Sequence, residues 1–380
     1  MRILHLHSSF DRGGKELRAA RLMNAFGRGI AHHVVSAVPG ALAAASAIEW
    51  GIDVAYPDDF PSLSGRPTPA RLQRLATAMR GYDLVLTYNW GAMDAVMAQT
   101  VFRDFLKLPP LVHHEDGFNE DEAAGLKTSR NWYRRLALGR ASALVVPSRL
   151  LETVALGAWQ QPRGRVHLIP NGIALGAYAR KPKADALPRI VKRPGELWVG
   201  TLAGLRTVKN LPRLVRAFAG LPPAWQLVIL GDGPERDAIK AQALASGVAD
   251  RVHLPGFAPD PGKAVGLFDV FALSSDSEQF PISVVEAMAV GLPVASPAVG
   301  DVAQMVSPEN RPLICAPGSD GALAEVLARL AGDAALRASV GTANRAHALA
   351  HYDEAAMIAS YRSVYARAMG LAQFPPSSRS

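Results

Sequence analysis

In SSDSEQFPISVVEAMAVGLPVASPAVGD, residues 274–301, a polar loop turns into an apolar helix between two glutamates. The residues just before it, Val270–Ser275, read as a strand that leaves through the loop Ser274–Gln279. Pro281 suits the first position of the helix, where its missing N–H costs nothing. The helix continues through SVVEAMAV, and Gly291 is a natural stop. Glu278 then lies in the loop, and Glu286 lies about one and a half turns into the helix. The free N–H groups near Phe280–Ser283, together with the helix dipole, form an anion site suited to a diphosphate. A carboxylate ahead of such a site can contact a sugar, and one behind it can hold a ribose. Carboxylates only accept hydrogen bonds, and hydroxyls supply the donors.

The same strand–helix alternation extends along the whole chain. Strands are expected at Arg2–His7, His33–Val38, Asp53–Tyr56, Leu84–Tyr88, Leu111–His114, Ala143–Pro147 and Val166–Pro170. Helical patterns fall between them, at Lys15–Gly29, Arg71–Arg80, Arg130–Gly139 and Leu150–Leu156. A second series of strands covers Leu197–Leu202, Gln226–Leu230, Val252–Leu254, Val270–Leu273, Pro293–Ser296 and Leu313–Cys315. Continuous apolar strands such as LVIL and ALVV suit parallel sheets covered on both faces. The fold class is therefore α/β, with two Rossmann-like doubly wound domains whose sheets face a cleft. The segment Ala177–Gly195, rich in Lys, Arg, Pro and Ala and without periodicity, reads as the linker. The last helix is Glu354–Met369, and the tail, which ends in FPPSSRS, reads as disordered.

With 380 residues, 49% hydrophobic and only 19% charged, the chain has material for two buried cores. Its single cysteine, Cys315, forms no internal disulfide and no zinc set, which fits a reducing cytoplasm. No signal peptide and no 18-residue apolar run is visible. The net charge of +8 could attract nucleic acid, anionic lipid or phosphate-bearing substrates. The basic residues are dispersed and form no nucleic-acid motif, so nucleic acid is the weaker partner. In the helix of Trp132, Tyr133, Arg134 and Arg135, the aromatics are expected in the core and the basic face in solvent. Asp232, in LGDGPE, reads as a turn residue.

The E-x7-E run, with Phe280-Pro281 inside it and E-A-M-A-x-G-x-P-V from Glu286, resembles the retaining, nucleotide-sugar-dependent glycosyltransferases of family 4, which have the GT-B fold. The resemblance covers nearly the whole chain. Gly13-Gly14-Lys15-Glu16 is similar to the family's glycine-rich turn. Leu111–Gly117 is similar to its histidine segment, and Val145–Ser148 and Ile169–Ile173 to its later strand ends. Gly200–Asn210, Gly231-Asp232-Gly233-Pro234 and Pro255-Gly256-Phe257 are similar to its loops around the nucleotide.

The resemblance implies a role for each of these residues. Lys209 neutralises the donor diphosphate and Glu286 binds the ribose. Glu278, with Gln279, Phe280, Pro281, Ile282 and Ser283, holds the sugar and phosphate. Gly13 and Gly14 let the backbone approach the diphosphate. Gly231 and Phe257 belong to the nucleotide loops. His113 or His114 sits near the anomeric centre or a sugar hydroxyl. The two alternate on a strand, so only one can face the cleft. No metal or cofactor is implied, and the sequence has no Asp-x-Asp pair. Residues 1–176 form the acceptor domain, with helix 354–370 packed back onto it, and 177–353 the donor domain, before a tail from 371. Closure over the donor would exclude water.

The implied acceptor is a glycan or lipid-linked precursor in polysaccharide biosynthesis. The implied location is the cytoplasm, with peripheral contact with the anionic inner face of the membrane. Three positions depart from the family pattern. Gly204 stands where an arginine is common, leaving Arg206 as its substitute. Gln279 replaces a glycine, and Ala174 replaces an aspartate. Gly204 and Gln279 motivate one rival, a degenerate nucleotide-sugar-binding partner protein; a nucleotide-sugar epimerase, which keeps the fold and changes the reaction, is another.

Overall fold

Short, fully buried runs make the sheet of the first unit. Its strands are β1 (Arg2–His7), β2 (Ala31–Ser36), β3 (Asp53–Ala55), β4 (Leu84–Tyr88), β5 (Leu111–His114), β6 (Ala143–Val146) and β7 (Val166–Leu168). All are parallel, in the order 3-2-1-4-5-6-7. Every residue of β4, β5 and β6 is buried, as a sheet covered on both faces demands. The covering helices include α1 (Gly14–Phe26), α2 (Pro69–Met79), α3 (Met93–Leu106), α4 (Thr128–Ala137) and α5 (Arg149–Leu156). Polar side chains start two of them. The Thr68 hydroxyl accepts from the Arg71 N–H ahead of α2, and Ser148 from Leu151 ahead of α5.

The second unit repeats the plan. Strands β8 (Leu197–Leu202), β9 (Trp225–Leu230), β10 (Val252–Gly256), β11 (Val270–Ala272), β12 (Val294–Pro297) and β13 (Ile314–Cys315) run parallel in the order 10-9-8-11-12-13. Both sheets therefore contain the 3-2-1-4-5-6 order of doubly wound folds. That order reverses between β1 and β4 in one unit and between β8 and β11 in the other, and ligands bind at the carboxyl ends of strands beside such a reversal. The helices here are α6 (Leu211–Phe218), α7 (Arg236–Ala245), α8 (Ile282–Ala289), α9 (Val302–Met305), α10 (Asp320–Gly332) and α11 (Ala334–His351).

These coordinates form a computed structural model that describes residues 1–118, 122, 125–258 and 260–375. The two units are Met1–Asn171 with Ala356–Ser380, and Gly172–Ala355. A final helix, α12 (Glu354–Met369), joins the core of the first unit through Met357, Tyr361, Val364 and Tyr365.

Four expectations change. The stretch 177–195 is no free linker. Its Tyr178 and Leu187 are buried in the core of the second unit, and Lys192 pairs with Asp269 at 2.6 Å. Of the tail, Phe374 is buried against Phe26 and Tyr365, while residues 376–380 lie outside the described residues. Pro281 stands just ahead of α8 rather than in its first turn. On α4 Tyr133 packs against the core as expected, but the polarity is reversed at two positions: Trp132 is 55% exposed and Arg134 is fully buried. The reason is local, because Glu115 and Glu122 are buried beside Arg134 and a buried charge must be paired.

Candidate active site

The loops leaving β8 and β11 meet at the reversal point of the second sheet. Backbone and side chain join them. The Asp276 N–H donates to the Val208 carbonyl (2.9 Å) and the Ser274 hydroxyl to the Lys209 carbonyl (2.9 Å). Arg213, in the first turn of α6, braces the same loop by donating to the Ser274 carbonyl (3.1 Å) and to Asp276 (2.6 Å). Within this frame Lys209 Nζ lies 2.5 Å from Glu278 Oε1, and the Ser275 hydroxyl donates to the same oxygen at 2.7 Å. Both charged side chains are mostly covered, at 17% and 10% exposure, so the pair is less screened than one on the surface.

Glu278 is followed by Gln279, whose side-chain oxygen is buried without a hydrogen-bond partner. The Gln279 carbonyl accepts from the Asp301 N–H at 3.0 Å. Gly300 makes that approach sterically permissible. Its φ is +54°, and a Cβ there would fall 2.5 and 2.6 Å from the carbonyl oxygens of Glu278 and Gln279. The helix α8 then begins at Ile282 with no side-chain cap, so its first N–H groups have no intrahelical partner and its dipole favours an anion. Phe280 packs edge-on against Tyr352, with ring centres 5.6 Å apart. Glu286 is 8% exposed and accepts a hydrogen bond from the Tyr178 hydroxyl at 2.9 Å.

The glycine loop after β9 closes against the loop after β8. Gly231, at φ +148°, lies so near Ala203 that a Cβ would meet the Ala203 carbonyl oxygen at 1.8 Å. Its N–H donates to the Gly256 carbonyl at 2.9 Å, which ties in the loop of Phe257, itself 55% exposed. The Asp232 carboxylate accepts from the next N–H, a turn contact. Arg206 is exposed, and its Nε lies 3.5 Å from where a Gly204 Cβ would stand. It thus flanks the position where an arginine is absent.

In the first unit, Gly13 precedes α1, and a Cβ on it would fall 2.5 Å from Glu16 Oε2. Glu16 is buried and paired with Lys15, and burial raises its carboxyl above the usual range although the lysine opposes the shift. Arg18 donates to both oxygens of Asp116 and, at 2.9 Å, to Asn171. Burial acts to raise the Asp116 carboxyl, but Arg18 prevails and holds it below its ordinary value. Asp116 thus anchors a buried ion pair.

Both His113 and His114 are buried. His113 Nδ1 bonds the Thr87 hydroxyl at 2.8 Å, and its Nε2 lies 3.6 Å from Glu115. His114 Nδ1 meets the Thr87 carbonyl (3.1 Å) and Nε2 the Tyr365 hydroxyl (2.9 Å). Burial drives the His114 imidazole down to about 3, helped by Arg18, so it is neutral. The physical reason is α12, which covers the face of β5 from which His114 projects.

Sequence reasoning missed Tyr178, Arg213, Arg134 and Glu115. Their partners are distant in the chain or sit in segments read as linker and surface. Among the described residues no group of three or more His, Cys, Asp or Glu side chains could hold a metal ion.

Two family models match, Glycosyltransferase Family 4 over residues 12–176 and Glycosyl transferases group 1 over residues 185–347. EpsF of Bacillus subtilis is 28% identical over 77% of this chain and 78% of its own length. The 2-deoxystreptamine N-acetyl-D-glucosaminyltransferase of Streptomyces fradiae is 32% identical, but over only 53% of this chain and 48% of that protein. The chain thus spans about half the length of that curated relative. Among solved structures, Anabaena HepE in complex with UDP and glucose superposes with a TM-score of 0.79, at 22% identity over 96% of this chain and 99% of that one. Sucrose-phosphate synthase of Thermosynechococcus elongatus gives 0.76, at 22% identity over 97% and 100%. With two sheets of 3-2-1-4-5-6 order and both family models matched, the chain has a GT-B-like fold and belongs to the group 1, family 4 glycosyltransferases, which use nucleotide sugars.

Proposed function

We propose that this chain is a retaining glycosyltransferase. It moves a hexose-like sugar from a nucleoside diphosphate sugar to a hydroxyl of a glycan or lipid-linked acceptor. The observation that carries this is the Lys209–Glu278 pair at the reversal point of the second sheet, with the uncapped start of α8 beside it and Glu286 behind it. Lys209 and the N–H groups at Ile282 and Ser283 would take the diphosphate and stabilise its charge as the glycosidic bond breaks. Glu278 would accept from the donor-sugar hydroxyls once the phosphate draws Lys209. Glu286 would accept from the ribose. Arg206 would supply the cation that Gly204 lacks. Gln279, with its unpartnered buried oxygen, would contact the sugar. Gly13 and Gly14 in the first unit would admit the diphosphate closely.

The test is calorimetric binding of UDP-, GDP- and ADP-sugars to the wild type and to Glu286→Ala. Tight binding of one donor, weakened at least tenfold (about 1.4 kcal/mol) in the variant, supports the reading. No binding of any donor by the wild type overturns it. Donor turnover to an isomer without acceptor would favour the epimerase.

A peripheral contact with anionic membrane is part of the same proposal. Val101 and Phe105 on α3 and Trp132 and Leu136 on α4 are all more than half exposed, and Arg135 lies over the Trp132 ring. Each apolar pair is spaced i, i+4, so each makes a stripe on its helix. No helix among the described residues is long and apolar enough to cross a membrane.

A further inference from the structure

Strand β7 ends the first sheet on the side away from β3, so one of its edges has no neighbouring strand among the described residues. A cavity of about 640 Å³ runs along that strand, from Arg163 ahead of it to Ile169 beyond it. Its size falls within the range of about 300–1,000 Å³ usual for small-molecule sites. One wall comes from α5 and the other from α12, and every lining residue belongs to the first unit. In the strand order β7 lies three places beyond β4, so the cavity is away from the reversal between β1 and β4. None of its lining residues is among those proposed to bind the donor.

The charged lining is basic and comes from three separate segments. Arg149 opens α5, Arg163 stands in the turn before β7, and Arg367 lies in the last turn of α12. The one carboxylate in the lining is Glu152, and Arg163 already engages it at 2.8 Å. Arg367 is exposed and forms no ion pair among the described residues. A cation in its position suits the dipole of α12, but that does not account for Arg149 and Arg163 at the same cavity. Burial lowers the His167 imidazole, and Arg367 adds to the shift, so the charge of the guanidinium is felt at the cavity floor. Near pH 7 that imidazole is neutral and offers one N–H donor.

Hydroxyls and apolar surface complete the lining. Ser360, Ser363 and Arg367 follow at i, i+3 and i+7, which places them on one face of α12. The Ser360 hydroxyl donates back to the Ala356 carbonyl at 3.0 Å and is free to rotate toward a ligand. Val166 and Val364 supply apolar floor. Guanidinium groups present forked N–H donors that match phosphate oxygens. A carboxylate has two oxygens in one plane, whereas a phosphate monoester has three acceptor oxygens and close to two negative charges. Cations and hydroxyls placed on separate walls fit the second shape better than the first.

We infer that this cavity is an anion site that takes a phosphate monoester. The phosphate lies among Arg149, Arg163 and Arg367, and the carbon chain of the ester lies along Val166 and Val364. The site stands independently of the transferase reading. The same chemistry can arrive as a soluble phosphate ester or as the headgroup of phosphatidic acid. Calorimetry on the full chain with glycerol 3-phosphate, and with glycerate as a carboxylate of similar size, reads the soluble source. Sedimentation with vesicles containing phosphatidic acid, against phosphatidylcholine alone, reads the lipid source. Both are repeated on Arg367→Glu and on Ser363→Asp, which puts a negative charge into the cavity from an exposed position. The control is Arg80→Glu, an exposed arginine just after α2 and outside the cavity.

The expected result is binding of at least one phosphate probe, weakened about tenfold or more in both cavity variants, the scale of a lost bond to a charged group, and changed less than about twofold in Arg80→Glu. Loss confined to glycerol 3-phosphate supports the site with a soluble ligand, and loss confined to the vesicles supports it with a lipid. Binding that both cavity variants leave unchanged overturns the inference, as does an equal loss in Arg80→Glu, which would be general charge attraction. A preference for glycerate overturns the phosphate assignment. Absence of binding to both phosphate probes overturns the site and has no bearing on nucleotide-sugar binding.

Discussion

Lys209 and Glu278 hold one another at 2.5 Å across two loops that leave adjacent strands. On the proposed donor reading, the cation is kept in place by a carboxylate that would give it up to a phosphate. Lys209→Met should weaken binding of the preferred nucleotide sugar by at least tenfold, since it removes the cation and leaves the Glu278 charge facing the diphosphate. Adding Glu278→Gln to that variant should recover part of the loss, because the repulsion goes too. Calorimetry on the four chains of this double-mutant cycle measures the coupling. A double variant no better than Lys209→Met would remove the repulsion from the account.

The Tyr178 hydroxyl orients Glu286 through one hydrogen bond of 2.9 Å. Tyr178→Phe keeps the ring in its core and deletes that bond. A hydrogen bond to a charged group contributes about 1.5–3 kcal/mol to stability, so the unfolding midpoint should fall, and donor affinity should drop by roughly three- to tenfold, the about 0.7–1.4 kcal/mol that orienting Glu286 contributes to binding. An unchanged Kd would mean that Tyr178 only packs.

Arg134 is buried between Glu115 and Glu122 and under three aromatic rings, Trp90, Phe118 and Trp159. Arg134→Met should cost about 3–5 kcal/mol, because two buried carboxylates lose their cation. Urea unfolding measures this. A cost below about 1 kcal/mol would show that water or a neighbouring base replaces the guanidinium.

Acid should destabilise the first unit. Burial holds the imidazoles of His5 and His7 well below their ordinary value, His32 at about 4 and His114 at about 3. All four are neutral in the folded chain near pH 6, whereas the unfolded chain protonates them below about 6.5. Their stability contribution is complete above that pH and is lost as pH falls toward the folded values. The slope is about 1.4 kcal/mol per pH unit for each imidazole that stays neutral. Unfolding midpoints at pH 8, 6 and 5 should fall accordingly, and His114→Phe should have a shallower slope. A flat profile down to pH 5 would contradict the buried, neutral state.

Trp132→Ser with Phe105→Ser should reduce sedimentation with vesicles containing anionic phosphatidylglycerol, and high salt should reduce it further. Equal sedimentation of wild type and variant would remove α3 and α4 from any membrane contact.

Much of the fold was legible because strands buried on both faces leave unbroken apolar runs. Leu84–Tyr88, Leu111–His114 and Glu354–Met369 have the same bounds in the structure as in the sequence reading. The loop proposed to hold the donor was legible because its logic is local: strand, polar loop, uncapped helix and two glutamates within one short segment. What stayed hidden was non-local. Tyr178 meets Glu286 across 108 residues of chain, and Arg213 meets Ser274 across 61. Arg134 looked like a surface residue because helical spacing alone does not reveal that Glu115 and Glu122 are buried beside it. The burial of His114 was hidden for a related reason, since a strand-end histidine is exposed only if no later helix covers it.

That later helix ties the order of synthesis to the order of folding. Tyr365 of α12 bonds His114 from 251 residues downstream, and the whole of Gly172–Ala355 is threaded between them. On a ribosome adding about 5–20 residues per second, the first sheet waits roughly 10–40 s for its last layer. The second unit, contiguous in the chain, has no such wait. During that interval Tyr88 and the neutral face of His114 lack their cover. A stop codon shortly after Ala355 would therefore damage most the unit translated first.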